Sequence, residues 1–200
     1  MNKIQLSGVI NNITYSHTIG TTDYDKAEII VPKYNGEDVL QLRFKHYSNT
    51  YENGEQIALV GNIRSYSEKL ETKNKVHLYV FTYFDKPEND SEEEVVWNSF
   101  EVDGRICKID NIRTSANGKQ NIHFILANNI ISKNTHQKLN TYIPMVAFGN
   151  TAVEIAKLHV SDKIQVTGKL NSREYIKKLD DGTLETRMAY EGIVSSFVTL

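Results

Sequence analysis

The stretch QVTGKLNSREY, Gln165 to Tyr175, alternates as a β-strand does: Gln165, Thr167 and Lys169 interleave with Val166, Gly168 and Leu170. Glycine inside a strand weakens it, unless the sheet bends there or another backbone or a ligand comes close. The same word, aliphatic-x-Gly-x-aliphatic, occurs four times, at Leu6 to Ile10, Leu59 to Ile63, Val102 to Ile106 and Val166 to Leu170. A chain that spends glycine this way in four strands has a bending or a crowding problem to solve in each.

The words fall in two sets. NKIQLSGVI (Asn2 to Ile10) matches NSFEVDGRI (Asn98 to Ile106) in asparagine, glycine and apolar positions, and LVGNIRSY corresponds to VTGKLNSREY. Between the sets lies DKPENDSEEEVV, residues 85–96, with six acids, one lysine and no strand or helix period, which reads as an exposed linker. The expected organisation is a first domain at 1–84, an acidic linker at 85–96 and a second domain at 97–200. The formal charge of −2 is unevenly spread: the linker carries −5, residues 1–84 are neutral and residues 97–200 carry +3.

In the second half, strands are expected at Phe100 to Ile112, Asn121 to Ile131, Leu139 to Phe148, Lys163 to Leu179 and Leu184 to Val198. Turns fall at Ala116 to Lys119 and Asp180 to Gly182. The one good helix is Asn150 to Leu158, capped by Asn150 or Thr151. Three strands, a helix and two strands is the order of the OB-fold, a small five-stranded barrel whose strands curl sharply. Glycines at its corners would let them curl. The first half repeats the strands at Ile4 to Tyr15, Lys26 to Tyr34, Val39 to Tyr47, Gln56 to Ser67 and Val76 to Phe84, with the loop SNTYENGE (Ser48 to Glu55) in place of the helix. The expected fold is all-β, two tandem OB barrels, the second with one short helix. One continuous ten-stranded sandwich is the rival.

Residues 98–198 resemble the bacterial single-stranded DNA-binding proteins. The resemblance rests on NSFEVDGRI, on FILANN (Phe124 to Asn129), on TYIPMVAFGNTAVEIAK (Thr141 to Lys157) and on VTGKLNSREY. Tyr142, Phe148 and Gly149 keep the family's spacing of aromatic, aromatic and glycine, and Gly168, Arg173 and Tyr175 keep a second. A further stacking aromatic of the family has no counterpart at Ile131 or Ser132, and Asn150 stands where a basic residue is common. The first half resembles the family only in its glycine words and strand order, with Phe44, Tyr47 and Tyr66 in the corresponding strands.

Such a binder needs cations for phosphates and aromatic faces on which bases stack. Tyr142, Phe148 and Tyr175 suit stacking; Lys169, Arg173, Lys177 and Lys178 suit phosphate; Tyr47, Arg64 and Tyr66 are the candidates in the first half. Each has a plainer reading. A strand aromatic is more often core, as Phe124 between Ile122 and Leu126 is expected to be, and a Lys-Lys pair is commonly a solvated hairpin tip. Trp97 reads as a plug at the domain boundary, and Cys107 as a small buried hydrophobe.

Enzymes are disfavoured: the six histidines have no metal-ligand spacing, the single cysteine excludes CxxC, and no GxxxxGK[ST] is present. No cofactor or metal is expected. No apolar run is long enough for a membrane span and the N-terminus lacks a signal block, so a cytoplasmic protein is expected. The expected function is single-stranded DNA binding in replication, recombination or mobile-element transfer, with a basic second barrel as the principal surface. The resemblance also implies a homodimer, since four barrels commonly make the family's working unit, and replication or recombination proteins as possible partners. An OB module for primosome or other protein assembly is one alternative, and an RNA-binding accessory domain another.

Overall fold

A computed structural model describes residues 1–48, 50–69, 74–85, 97–131, 138–179 and 182–200. The expected linker at 85–96 therefore lies, apart from its first residue, outside the described residues. The first half contains β1 (Asn2–Ile19), β2 (Thr22–Lys33), β3 (Gly36–Lys45), a 3₁₀ turn at His46–Ser48, β4 (Gln56–Lys69) and β5 (Asn74–Asp85). The second contains β6 (Asn98–Ile109), β7 (Arg113–Thr114), β8 (Gln120–Ile131), β9 (Lys138–Phe148), α1 (Gly149–Ile155), β10 (Lys163–Lys178) and β11 (Leu184–Thr199).

Each half closes on itself. In the first, β1 pairs with both β2 and β4, and a short parallel contact of β3 with β5, Leu42 opposite Val80, seals the barrel. In the second, β6 pairs with β8 and β10, and β9 meets β11 in parallel at Met145 and Gly192. Period-two alternation drives this closure: Leu40, Leu42 and Phe44 on β3 point inward and are fully buried, as are Ile164 and Val166 on β10. Phe124 is core, as expected.

The glycines answer to crowding, and none of the four has a positive φ. At Gly8 and Val9, β1 leaves β4 and joins β2, so the strand crosses the barrel corner with β2 directly beneath it. A Cβ at Gly8 would overlap the Ile30 carbonyl. One at Gly104 would lie 2.6 Å from the Ala127 oxygen, where β6 passes from β10 to β8. Gly61 and Gly168 sit at register shifts in the β4–β5 and β10–β11 ladders, against the backbones of Phe81 and Ile193. Only a residue without a side chain lets two backbones pass this closely.

Boundaries differ from the sequence reading where the chain leaves the barrel. β1 and β2 continue as a two-stranded arm to Ile19 and Thr22, because residues beyond Asn11 are mostly exposed and lose the apolar alternation that marks a strand. Tyr47 is not on the third strand: β3 ends at Lys45 and Tyr47 occupies the 3₁₀ turn. The helix ends at Ile155, and neither Asn150 nor Thr151 caps it. Phe148 holds the N-cap position with no side-chain cap, and Gly149, at φ +58°, turns the chain from strand into helix. Cys107 is exposed, its thiol donating to the Ile125 carbonyl at 3.4 Å.

The halves are joined by an internal twofold. β1 pairs antiparallel with β6 so that Asn2 faces Val102, Ile4 faces Phe100 and Leu6 faces Asn98. Asn98 is the repeat counterpart of Asn2, and Val102 that of Leu6, so the axis passes between Ile4 and Phe100. Side chains obey the same operation. Asn2 Oδ1 accepts from the Ile63 N–H at 2.9 Å while its amide donates to the Ile63 carbonyl at 2.8 Å. Asn98 clasps Leu170 the same way at 2.9 and 2.7 Å. Ser65 Oγ accepts from the Tyr142 N–H at 2.8 Å, and its counterpart Ser172 Oγ from the Val39 N–H at 2.8 Å. Each serine thereby ties the fourth strand of its barrel to the third strand of the other. Trp97 lies at this seam, where its N–H donates to Ser7 Oγ at 2.7 Å and its carbonyl accepts from the Ser7 N–H. Asn98→Ala is expected to strand both Leu170 backbone groups and lower stability by about 1–3 kcal/mol in urea titration, whereas the exposed Asn117→Ala changes it by less than about 0.5 kcal/mol.

Candidate nucleic-acid interface

The outer face of the first barrel is built from alternate residues of four strands. On β5, HLYVFTYF sends Leu78, Val80, Thr82 and Phe84 inward and leaves His77, Tyr79, Phe81 and Tyr83 outside. Beside them stand Arg43 and Lys45 on β3, Arg64 and Tyr66 on β4, and Tyr24 on β2. These groups form one layer. The Arg43 guanidinium lies 4.7 Å from the Tyr66 ring centroid and 4.6 Å from that of Tyr79. His77 stacks on Tyr66 at 4.8 Å and His17 on Tyr24 at 5.1 Å. Lys45 Nζ sits 5.5 Å from the Tyr47 ring and 5.7 Å from that of Tyr83. Tyr47, though off the strand, thus belongs to this cluster.

Two grooves run over the layer and share Arg43 and Tyr79. One, about 480 Å³, lies between Tyr24, Lys45, Tyr83 and Arg64 and the start of β9 at Lys138 to Thr141. The other, about 350 Å³, lies between Tyr66 and His77 and strand β11 at Glu185 to Met188. Burial raises the Tyr79 phenol above its ordinary value and lowers the Arg64 guanidinium below its own, which identifies both as partly desolvated. Arg64 Nη1 is the one buried side-chain nitrogen or oxygen with no hydrogen-bond partner among the described residues. That nitrogen is shielded from solvent, while the residue as a whole lines the first of these grooves.

The second barrel treats the equivalent face differently. The registers place Val146 where the first barrel has Arg43, Phe148 for Lys45, Asn171 for Arg64, Glu191 for Tyr79, Ile193 for Phe81 and Ser195 for Tyr83. Most of the rings and cations have become aliphatic, amide or acidic. Of the residues expected there, Phe148 is half exposed, and Tyr142 is exposed beside the seam with its N–H on Ser65. Arg173 lies 5.9 Å from the Tyr175 ring but is also paired with Glu191 at 3.3 Å. Lys169 and Lys178 are exposed and Lys177 is half-buried along the outer part of β10. Arg173, Tyr175 and Lys177 form one row on that strand, whereas Tyr142 and Phe148 are on β9. Tyr175 stands opposite Arg187 in the β10–β11 ladder, and Arg187 lines the groove over Tyr66. The row therefore runs into the first barrel's face.

Two closed five-stranded barrels with this strand order are OB-folds. The sequence pattern of the single-strand binding protein family matches residues 97–199, and the chain belongs to that family. The fold resembles crystal structures of the wild-type single-stranded DNA binding protein from Thermus aquaticus, at TM-score 0.73 and 13% identity over 100% of this chain and 93% of that one. A deletion mutant of the same protein gives the same score and identity over 94% of its length. No curated protein sequence matches.

Proposed function

We propose that the chain binds single-stranded DNA without enzymatic activity, on a surface centred on the first barrel and continued by the Arg173–Tyr175 row of the second. The observation that carries this is the outer row of His77, Tyr79, Phe81 and Tyr83 beside Arg43 and Arg64: π faces for bases and cations for phosphates on one sheet. Single strands present both; duplex DNA hides its base faces. Residues 1–84 and 97–200 act as two domains about the acidic linker, and two chains associate as a homodimer. Family membership supports a cytoplasmic role in replication, recombination or mobile-element transfer, with proteins of those processes as partners. Among the described residues no helix is long and apolar enough to cross a membrane.

The test is fluorescence anisotropy with labelled oligo-dT, duplex DNA and RNA of equal length at two salt concentrations. The expected result is at least tenfold preference for oligo-dT over duplex, with affinity falling as salt rises. Equal affinity for duplex, or no binding at low salt, removes the reading. Light scattering is expected to give twice the 22.8 kDa of one chain; a monomer mass at micromolar concentration removes the dimer.

A further inference from the structure

A groove of about 990 Å³ lies not on either barrel's face but at the seam between them. It is lined by Asn2, Asn62 and Arg64 of the first barrel and by Arg105, Asn129 and Lys163 of the second. Its charge is positive. Asp103, the acid in its lining, is paired with the Met1 amino group. Arg105 Nη1 donates to the Ser161 carbonyl at 2.8 Å, which fixes the side chain and leaves other donors of the guanidinium for a ligand. Lys163 is exposed and makes no ion pair among the described residues.

Arg64 belongs to this groove and also to the groove over Tyr24 and Tyr83. The β8–β9 ladder passes it at the pair Asn128–Thr141, with Asn128 lining the seam groove and Thr141 the aromatic one. Arg64 thus stands where a basic, ring-free groove meets a basic, ring-lined one. Base stacking is available on one side of Arg64 and only phosphate contact on the other.

We propose that a single strand long enough to leave the first barrel's aromatic face turns at Arg64 and runs on through the seam groove, its phosphates held by Arg105 and Lys163 and its bases directed away. The inference rests on the reading of the first barrel's face as a single-stranded DNA surface. It assigns contacts to Arg105 and Lys163, which follow no aromatic spacing in the sequence.

The experiment uses the full chain, the double variant Arg105→Gln/Lys163→Gln and the single variant Lys163→Glu. Both positions are exposed, and circular dichroism melting checks the fold. Two oligo-dT probes are titrated, one of about 8 nucleotides, within the site of a single OB barrel, and one of about 30. The expected result is that the double variant binds the short probe within twofold of the parent and the long probe at least tenfold more weakly. The slope of log affinity against log salt for the long probe should shrink by about 1.4, two phosphate contacts at roughly 0.7 each. Lys163→Glu should weaken the long probe further than loss of one contact. An unchanged affinity for the long probe, or equal losses for both probes, overturns the proposal. If the parent chain does not bind the short probe, the first-barrel reading fails and this inference fails with it.

Discussion

Tyr79→Ala is expected to weaken oligo-dT binding by about 1–3 kcal/mol, roughly five- to 150-fold, and Arg43→Ala to fall in the same range. Tyr79 is the centre of the first barrel's layer: its ring has Tyr66 at 6.2 Å and Arg43 at 4.6 Å, and it borders both grooves on that face. Removing it takes away a π face and releases Arg43 from the stack that aims it. Tyr175→Ala is expected to cost less than about 1 kcal/mol, because Glu191 lies beside Arg173 on that strand pair and repels the phosphates the arginine would hold. Anisotropy titration of the three variants decides the matter, with thermal melts to show that each is folded. If Tyr175→Ala costs as much as Tyr79→Ala, the second barrel shares the site equally.

Gly168→Ala is expected to destabilise the protein by about 3 kcal/mol, a fall of roughly 10 °C or more in the melting midpoint. The added methyl would overlap the Ile193 carbonyl and lie 3.0 Å from the Phe100 ring. Neither can retreat: Ile193 is held in the parallel contact that closes the barrel, and Phe100 is buried on the twofold seam. Gly118→Ala supplies the contrast. Gly118 has φ +76° and open space around it, so its cost is backbone strain alone, about 1 kcal/mol. Two glycine-to-alanine changes of equal size in the melt would show that crowding is not what the strand glycines relieve.

The glycine words and the Asn2/Asn98 repeat carried most of the fold, because each glycine marks a place where two backbones cross and each asparagine a place where a strand is clasped. Both are local demands with one chemical solution. The second barrel's candidates were legible for another reason, a family spacing, and that spacing pointed away from the richer face. In HLYVFTYF the ring residues recur at every second position from His77 to Tyr83, which is the mark of an aromatic row on one side of a strand. Charge totals do not show the cations beside that row. The neutral sum over residues 1–84 averages Arg43, Lys45 and Arg64 with acids placed elsewhere, such as Asp38, which is buried against Lys33 and Ser172. Arg105 and Lys163 were not legible as a pair, since only the β6–β10 ladder brings them opposite one another.

The twofold between β1 and β6 is a contact that two separate one-barrel chains would make equally well, each offering the other the same strand. In such a dimer every substitution appears twice, so a ring gained on one barrel is gained on both and a loss is doubled. Placing both copies in one polypeptide removes that constraint while keeping the pairing at a high local concentration. Tyr79 and Glu191, or Arg64 and Asn171, can then occupy matching places with opposite chemistry. One barrel is left to specialise in holding a ligand and the other to drift toward different work, without either giving up the strand that binds them together.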